Sequence, residues 1–144
     1  MNSLQIYISK LQKVVNDWPD LVTESVEETK ETATKYNREQ MMDGYDSTDE
    51  EIGGYASYEY EQMKQELNPF ANGRVDLKLT GAFHKAMNAK VNGNVLTIDS
   101  TDSKRNKLVE KYGEKIFGLN TKNQKRYKKD VNLYLFRLIK NRLK

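Results

Sequence analysis

The sequence predicts an α+β domain, on three observations. Apolar residues recur at three-and-four spacing near both ends of the chain, which marks amphipathic helices. Between them, two short apolar runs flank an Asn-Gly pair, the local pattern of a β-hairpin. A hydrophobic content of 37% over 144 residues allows one modest core but not two.

At the N-terminus, Leu4, Tyr7, Ile8, Leu11, Val14, Val15 and Trp18 share one helical face. This helix is expected to end at Trp18, because Pro19 disfavours helical geometry in the residue before it. Packing on its own C-terminal helix is the simpler expectation; serving as an arm on an adjacent subunit is the alternative. Asp20 offers an N-cap for a second helix over 20–42, with Val22, Val26, Ala33, Tyr36 and Met41 as a thin apolar stripe. Its outer face is expected to be acidic and threonine-rich. Residues Asp43 to Gly54 are acidic and turn-forming, hence a loop. Another helical turn is expected around Tyr58 to Leu67, stopped by Asn68-Pro69, and 68–74 reads as a linker.

In the second half, Phe83, Met87, Ala89 and Val91 alternate up to Asn92-Gly93, and Asn94 to Asp99 follows. That predicts a small antiparallel sheet with a hairpin at 83–99, turning on Asn-Gly with both central residues at positive φ. Lys104 to Tyr112 has helical spacing and meets Gly113 as a C-cap. Thr121 and Gln124 fit a capping box for a long C-terminal helix, whose stripe is Tyr127, Val131, Tyr134, Leu135, Leu138 and Ile139.

The net charge of +3 conceals an asymmetry: residues 1–72 hold 6 Lys/Arg against 15 Asp/Glu, whereas residues 73–144 hold 18 against 6. The sign changes within the linker, which divides a helical, acidic N-terminal arm and loop (1–72) from an α+β core with a basic C-terminal helix (73–144). Such a split fits polar self-association, contact with nucleic acid, or two halves packed on each other. With no cysteine, disulfides and thiolate metal sites are excluded. No window approaches eighteen consecutive apolar residues, and the first residues do not read as a secretion signal. The expectation is a protein made and kept in a cytoplasm.

Signals for chemistry are sparse. His84, the lone histidine, falls in an expected strand with no identified carboxylate or serine partner, and reads as structural. Asp43, Asp46, Asp49, Glu50 and Glu51 cluster in the loop. Their spacing lacks the alternate ligands and central glycine of a calcium loop, so a solvated loop is expected rather than a metal site. Gly53-Gly54 lacks the surroundings of a phosphate-binding loop. No cofactor and no catalytic group is expected. Residues 104–144 hold 14 Lys/Arg against 3 Asp/Glu, interleaved with Tyr112, Phe117, Tyr127, Tyr134 and Phe136. Basic charge with aromatic side chains suits nucleic acid. However, Tyr127 and Tyr134 lie on the apolar stripe, where core packing is the plainer role.

Four segments carry a resemblance when taken in order. Leu79-Thr80-Gly81-Ala82-Phe83 precedes the hairpin, Leu108 to Tyr112-Gly113 follows it, and Ile116-Phe117-Gly118-Leu119-Asn120 leads into the last helix. From Arg74 onward the chain resembles the virion-morphogenesis, or tail-completion (head–tail joining), proteins of tailed phages. Asn37-Arg38-Glu39-Gln40, Asp43-Gly44-Tyr45-Asp46, Tyr58 and Lys64 extend the likeness to relatives in phages and prophages of Bacteroidetes-type hosts. Lys115 and Ile116 stand where the family has arginine and proline, and Gly113 stands where it has alanine.

The resemblance implies a virion protein that forms a homo-oligomeric ring at the neck or tail and docks on portal, neck or tail proteins. Passing contact with phage DNA in a channel is implied as well, and membrane contact is not. It implies structural anchoring by Thr80, Gly81, Phe83, Phe117 and Leu119. Interface roles are expected for Asp43, Asp46, Asp49, Glu50 and Glu51 and for Lys122, Lys125, Lys128 and Lys129. The competing expectation is a small nucleic-acid-binding module using the basic helix; a metal-dependent enzyme built on the acidic loop ranks third.

Overall fold

The computed structural model describes residues 2–53, 62–63, 66–67, 77 and 81–144. Within them the chain is α+β. Helices α1 (Ser3–Asn16) and α2 (Trp18–Met42) come first. After them come a one-turn helix α3 (Ala82–Lys85), strands β1 (Met87–Asn92) and β2 (Val95–Ser100), and helix α4 (Arg105–Tyr112). A 3-10 turn (Glu114–Ile116) then leads into the long C-terminal helix α5 (Thr121–Arg142).

The expected boundary at Trp18 moves. α1 ends at Asn16, and Trp18 and Pro19 open α2, where proline's missing N–H costs nothing. Asp17 rather than Asp20 holds the N-cap position. At the chain start Asn2 and Gln5 form a reciprocal capping box.

Helix α2 buries Ala33 and Met41 of the expected stripe and leaves Val22, Val26 and Tyr36 half-buried, but its buried face is wider than that stripe. Leu21, Ser25, Thr29, Ala33, Thr34, Asn37, Gln40 and Met41 are buried, so two of the supposedly outer threonines lie inside. Their burial is tolerable because the hydroxyls of Ser25, Thr29 and Thr34 each donate to a carbonyl four residues back. These small polar residues let α5 pack close along α2, and the Thr29 hydroxyl meets the Tyr127 hydroxyl at 2.9 Å.

The hairpin pairs Met87 with Ser100 through to Asn92 with Val95, antiparallel. Met87 and Ala89 of β1 and Ile98 and Ser100 of β2 turn inward onto α2. Two details differ from the expectation. Phe83 and His84 belong to α3 rather than to the strand. Asn92 is the last strand residue, so Gly93 and Asn94 form the turn. Gly93 takes φ +64° while Asn94 stays negative, the pattern of a type II′ turn, which needs glycine at its first central position.

One apolar cluster joins Ala33 and Met41 of α2 to Phe83, Met87, Ala89, Ile98 and Ile116, so the acidic and basic halves share a core. A smaller cluster of Val14, Leu21 and Leu135 fastens α1 to the far ends of α2 and α5. There the Lys10 ammonium reaches the Lys144 carbonyl and Arg142 pairs with Asp17, so α1 does touch its own C-terminal helix. α4 ends as expected at Gly113, at φ +89°. The expected turn at Tyr58 to Leu67 and linker at 68–74 lie almost wholly outside the described residues, although Gln62, Met63, Glu66 and Leu67 are helical.

Ile116, fully buried at the junction of the halves, should be the most sensitive apolar position. Ile116→Ala is expected to cost about 3 kcal/mol in urea unfolding, with Glu110→Ala on the exposed face of α4 within roughly 0.5 kcal/mol of the parent.

Candidate functional site

Four consecutive residues at the end of α2 hold the second half of the chain. Asn37 donates to the Ile116 carbonyl (3.1 Å) and accepts from the Gly118 amide (2.9 Å). Arg38 donates from Nε to the His84 carbonyl and from Nη2 to the Met87 carbonyl. Glu39 pairs with Arg126 at 3.1 Å. Gln40 donates to the Gly118 carbonyl and accepts from the Asn120 amide and from Asn123. Backbone groups between 116 and 120, in a stretch with no regular ladder, thus find their partners in α2 side chains. Asn37 and Gln40 are buried and fully engaged, the condition under which a buried polar network is tolerated.

The acidic loop docks on the same stretch. Asp46 is completely buried: its Oδ1 accepts from the Thr48 hydroxyl, the Thr48 amide and the Glu50 amide, and its Oδ2 faces the Lys115 ammonium at 3.4 Å. Burial raises its pKa, but those hydrogen bonds and Lys115 outweigh it, and the carboxyl sits below the usual range. Glu50 also pairs with Lys115. Asp49, at φ +68°, accepts from both the Thr121 amide and the Thr121 hydroxyl, supplementing the Asn120 cap of α5. Asp43 and Glu51 are exposed. The expected solvated loop is therefore corrected at Asp46, which lies inside because its local amides and Lys115 replace water. The capping box at Thr121 also moves: Asn120 is the N-cap, and Gln124 reaches back to the Leu119 carbonyl.

The anchors fall as follows. Gly81 caps α3 at φ +85°, and Thr80 lies outside the described residues. Phe83 is buried, with Phe117 beside it (5.9 Å between centroids) and the Arg105 guanidinium over the Phe117 ring. Leu119 packs against the main cluster. Gly118, at φ +109°, passes so close to the loop that a Cβ there would stand 3.3 Å from Ser47 Cβ. Arg105 ties Asp99 to Glu114 and, with its hydrogen bonds, holds the Asp99 carboxyl low against the effect of burial.

On the outside, Lys122, Lys125, Lys128 and Lys129 are exposed on α5 and enter no ion pair among the described residues. Leu4, Tyr7, Ile8, Leu11, Val15 and Trp18 of the first two helices are exposed as well, only Val14 of that stripe being buried. Among the described residues no group of three His, Asp or Glu side chains is placed to hold a metal ion. Among the described residues no helix is long and apolar enough to cross a membrane. No protein-family model, curated protein or solved structure matches the chain.

Sequence reasoning missed the role of Asn37 and Gln40. Two uncharged amides at i, i+3 beside Met41 were the available signal, since an amide serves irregular backbone as donor and acceptor at once.

Asn37→Ala should cost about 2–3 kcal/mol of stability by leaving Ile116 and Gly118 groups unpaired. For Asp46, a lowered folded pKa means stability that is present above the unfolded value near 4 and lost as pH falls through the folded one. Urea unfolding of Asp46→Asn should show a deficit at about pH 7 that shrinks on acidification below about pH 4.

Proposed function

We propose that this chain is a structural component of a tailed-phage virion. It forms an oligomeric ring at the neck, the head–tail junction or the tail, and docks on portal, neck or tail proteins. Its role is non-catalytic and its place is the particle, assembled in the host cytoplasm. The observation that carries the reading is the apolar stripe of the first two helices, exposed on a fold whose irregular segment is otherwise locked to its own side chains. The largest contiguous apolar patch on a typical soluble monomer is about 300–600 Å² and is often functional, and larger ones mark protein contacts. The ordered likeness of 79–83, 108–113 and 116–120 to tail-completion proteins supports the same reading. The last of those segments is the one that Asn37 and Gln40 clamp.

The second reading, a nucleic-acid-binding module, draws on Lys122, Lys125, Lys128 and Lys129. Against it stands the composition of the helix they share, where exposed Leu133 and Phe136 interrupt the positive charge and offer nothing to a phosphate backbone.

Negative-stain images of purified particles, with the chain located by antibody, are expected to show it in an annulus at the neck or tail. Absence from particles, with persistent monomer in solution, would falsify the reading. Binding to duplex or single-stranded DNA that weakens steeply with salt would instead favour the nucleic-acid module.

A further inference from the structure

Two unpartnered surfaces on this molecule complement each other. On α5, Lys122, Lys125, Lys129, Leu133, Phe136 and Lys140 recur at three-and-four spacing and are all exposed, so they form one stripe. Leu133 and Phe136 are 62% and 66% exposed. On α2, Asp20, Glu24, Glu28 and Glu31 are exposed at similar spacing, and none of them pairs with α5. The pairs that do join these helices, Glu39–Arg126 and Asp17–Arg142, lie near the ends of their contact. Beside the start of α2 lies the apolar stripe of α1, with Leu4 and Val15 65% and 71% exposed. α1 itself carries Lys10 and Lys13 and no acidic residue.

We propose that the α5 stripe of one copy docks on the α1–α2 face of a second copy. The contact deepens the ring reading above and rests on it for its biological setting. Leu133 and Phe136 bury against α1's apolar stripe, while the lysines face the α2 carboxylates. Within one molecule these surfaces belong to helices whose mutual contact is already made by other residues, so a single chain cannot satisfy both. Neighbouring copies supply both, one receiving the α5 stripe and another covering the α1–α2 face. The contact is heterologous, one surface meeting a different one, so a pair of copies keeps one free surface of each kind, and added copies close a ring where the rotation allows and otherwise run on as a filament. A uniformly charged partner such as nucleic acid fits the lysines but not Phe136. An acidic partner protein would fit α5 but leave α1 uncovered.

The test is sedimentation velocity of the full chain at low and moderate salt. Three variants accompany it: E24K/E28K/E31K, K122E/K125E/K129E, and the chain carrying all six changes. Every position is exposed, and circular dichroism establishes that each variant folds. The parent should assemble beyond a monomer, and each triple reversal should raise the dissociation constant at least tenfold. The six-fold reversal should restore assembly, because the sign of both surfaces has been exchanged. Phe136→Glu should disrupt it independently of salt. Assembly that neither triple reversal weakens, or that the six-fold reversal fails to restore, overturns the proposed contact, as does a parent that stays monomeric. The two readings fail separately. Annuli in particles with reversal-insensitive assembly would remove this contact and leave the virion role, whereas reversal-sensitive assembly of a chain absent from particles would do the opposite.

Discussion

The structure depends on the clamp that Asn37, Arg38, Glu39 and Gln40 place on the second half of the chain. Residues 117–120 belong to neither helix nor strand, and irregular backbone beside a core needs partners for its amides and carbonyls. Amide side chains answer that need, donating and accepting from one group, as Asn37 does at Ile116 and Gly118. Four successive helical residues point around much of the helix, so α2 is enclosed here, with α3 and β1 on the Arg38 side and α5 on the Glu39 side. The end of α2 thereby fixes where the hairpin, the 3-10 turn and the start of α5 lie relative to one another.

The acidic loop closes the same junction from outside. Asp46 organises its own turn, Asp49 reaches the first residue of α5, and Ser47 and Lys115 bring the loop onto the 3-10 turn. Carboxylates near the N-terminus of a helix are favoured by its dipole, and Asp49 occupies that position for α5. Much of the loop's charge is therefore spent within the molecule, as local capping and as the pairing of Asp46 and Glu50 with the part-exposed Lys115. The carboxylates left facing outward in number are those of α2, which is why the charge asymmetry of the sequence reappears as two separate helical faces.

The class of the fold and the long helices were legible in the sequence, because period and caps are local signals. The hairpin was legible as well, but its turn was displaced by one residue, since Asn92 pairs with Val95 instead of entering the turn. The buried face of α2 was legible only in part, at Ala33 and Met41. Hydropathy selects Val22 and Val26, whereas the fold buries Ser25 and Thr29, whose hydroxyls satisfy themselves along the helix and leave room for Tyr127. Of the candidate site, the lysines of α5 were expected on a solvated face and are exposed, because helical spacing sets them apart from the apolar stripe. The inward turn of Asp46 was hidden, because Lys115 is distant in sequence and only the tertiary fold brings its ammonium to that carboxylate.

The same reasoning separates what stabilises this molecule from what it presents. Val14 is the one residue of the α1 stripe whose side chain is needed at home, held between Leu21 and Leu135. A helix that needed only to cover its own core would put the richest part of its stripe inward. α1 does the reverse, and its tether at Lys10 and Asp17 is polar and confined to its C-terminal half. Its N-terminal half, with Leu4, Tyr7 and Ile8, is therefore held out rather than folded in. An apolar stripe kept exposed in this way is costly in water unless another surface covers it. Because the tether fixes its direction, a surface that covered it would meet it in one orientation, the condition that the proposed ring sets for each subunit.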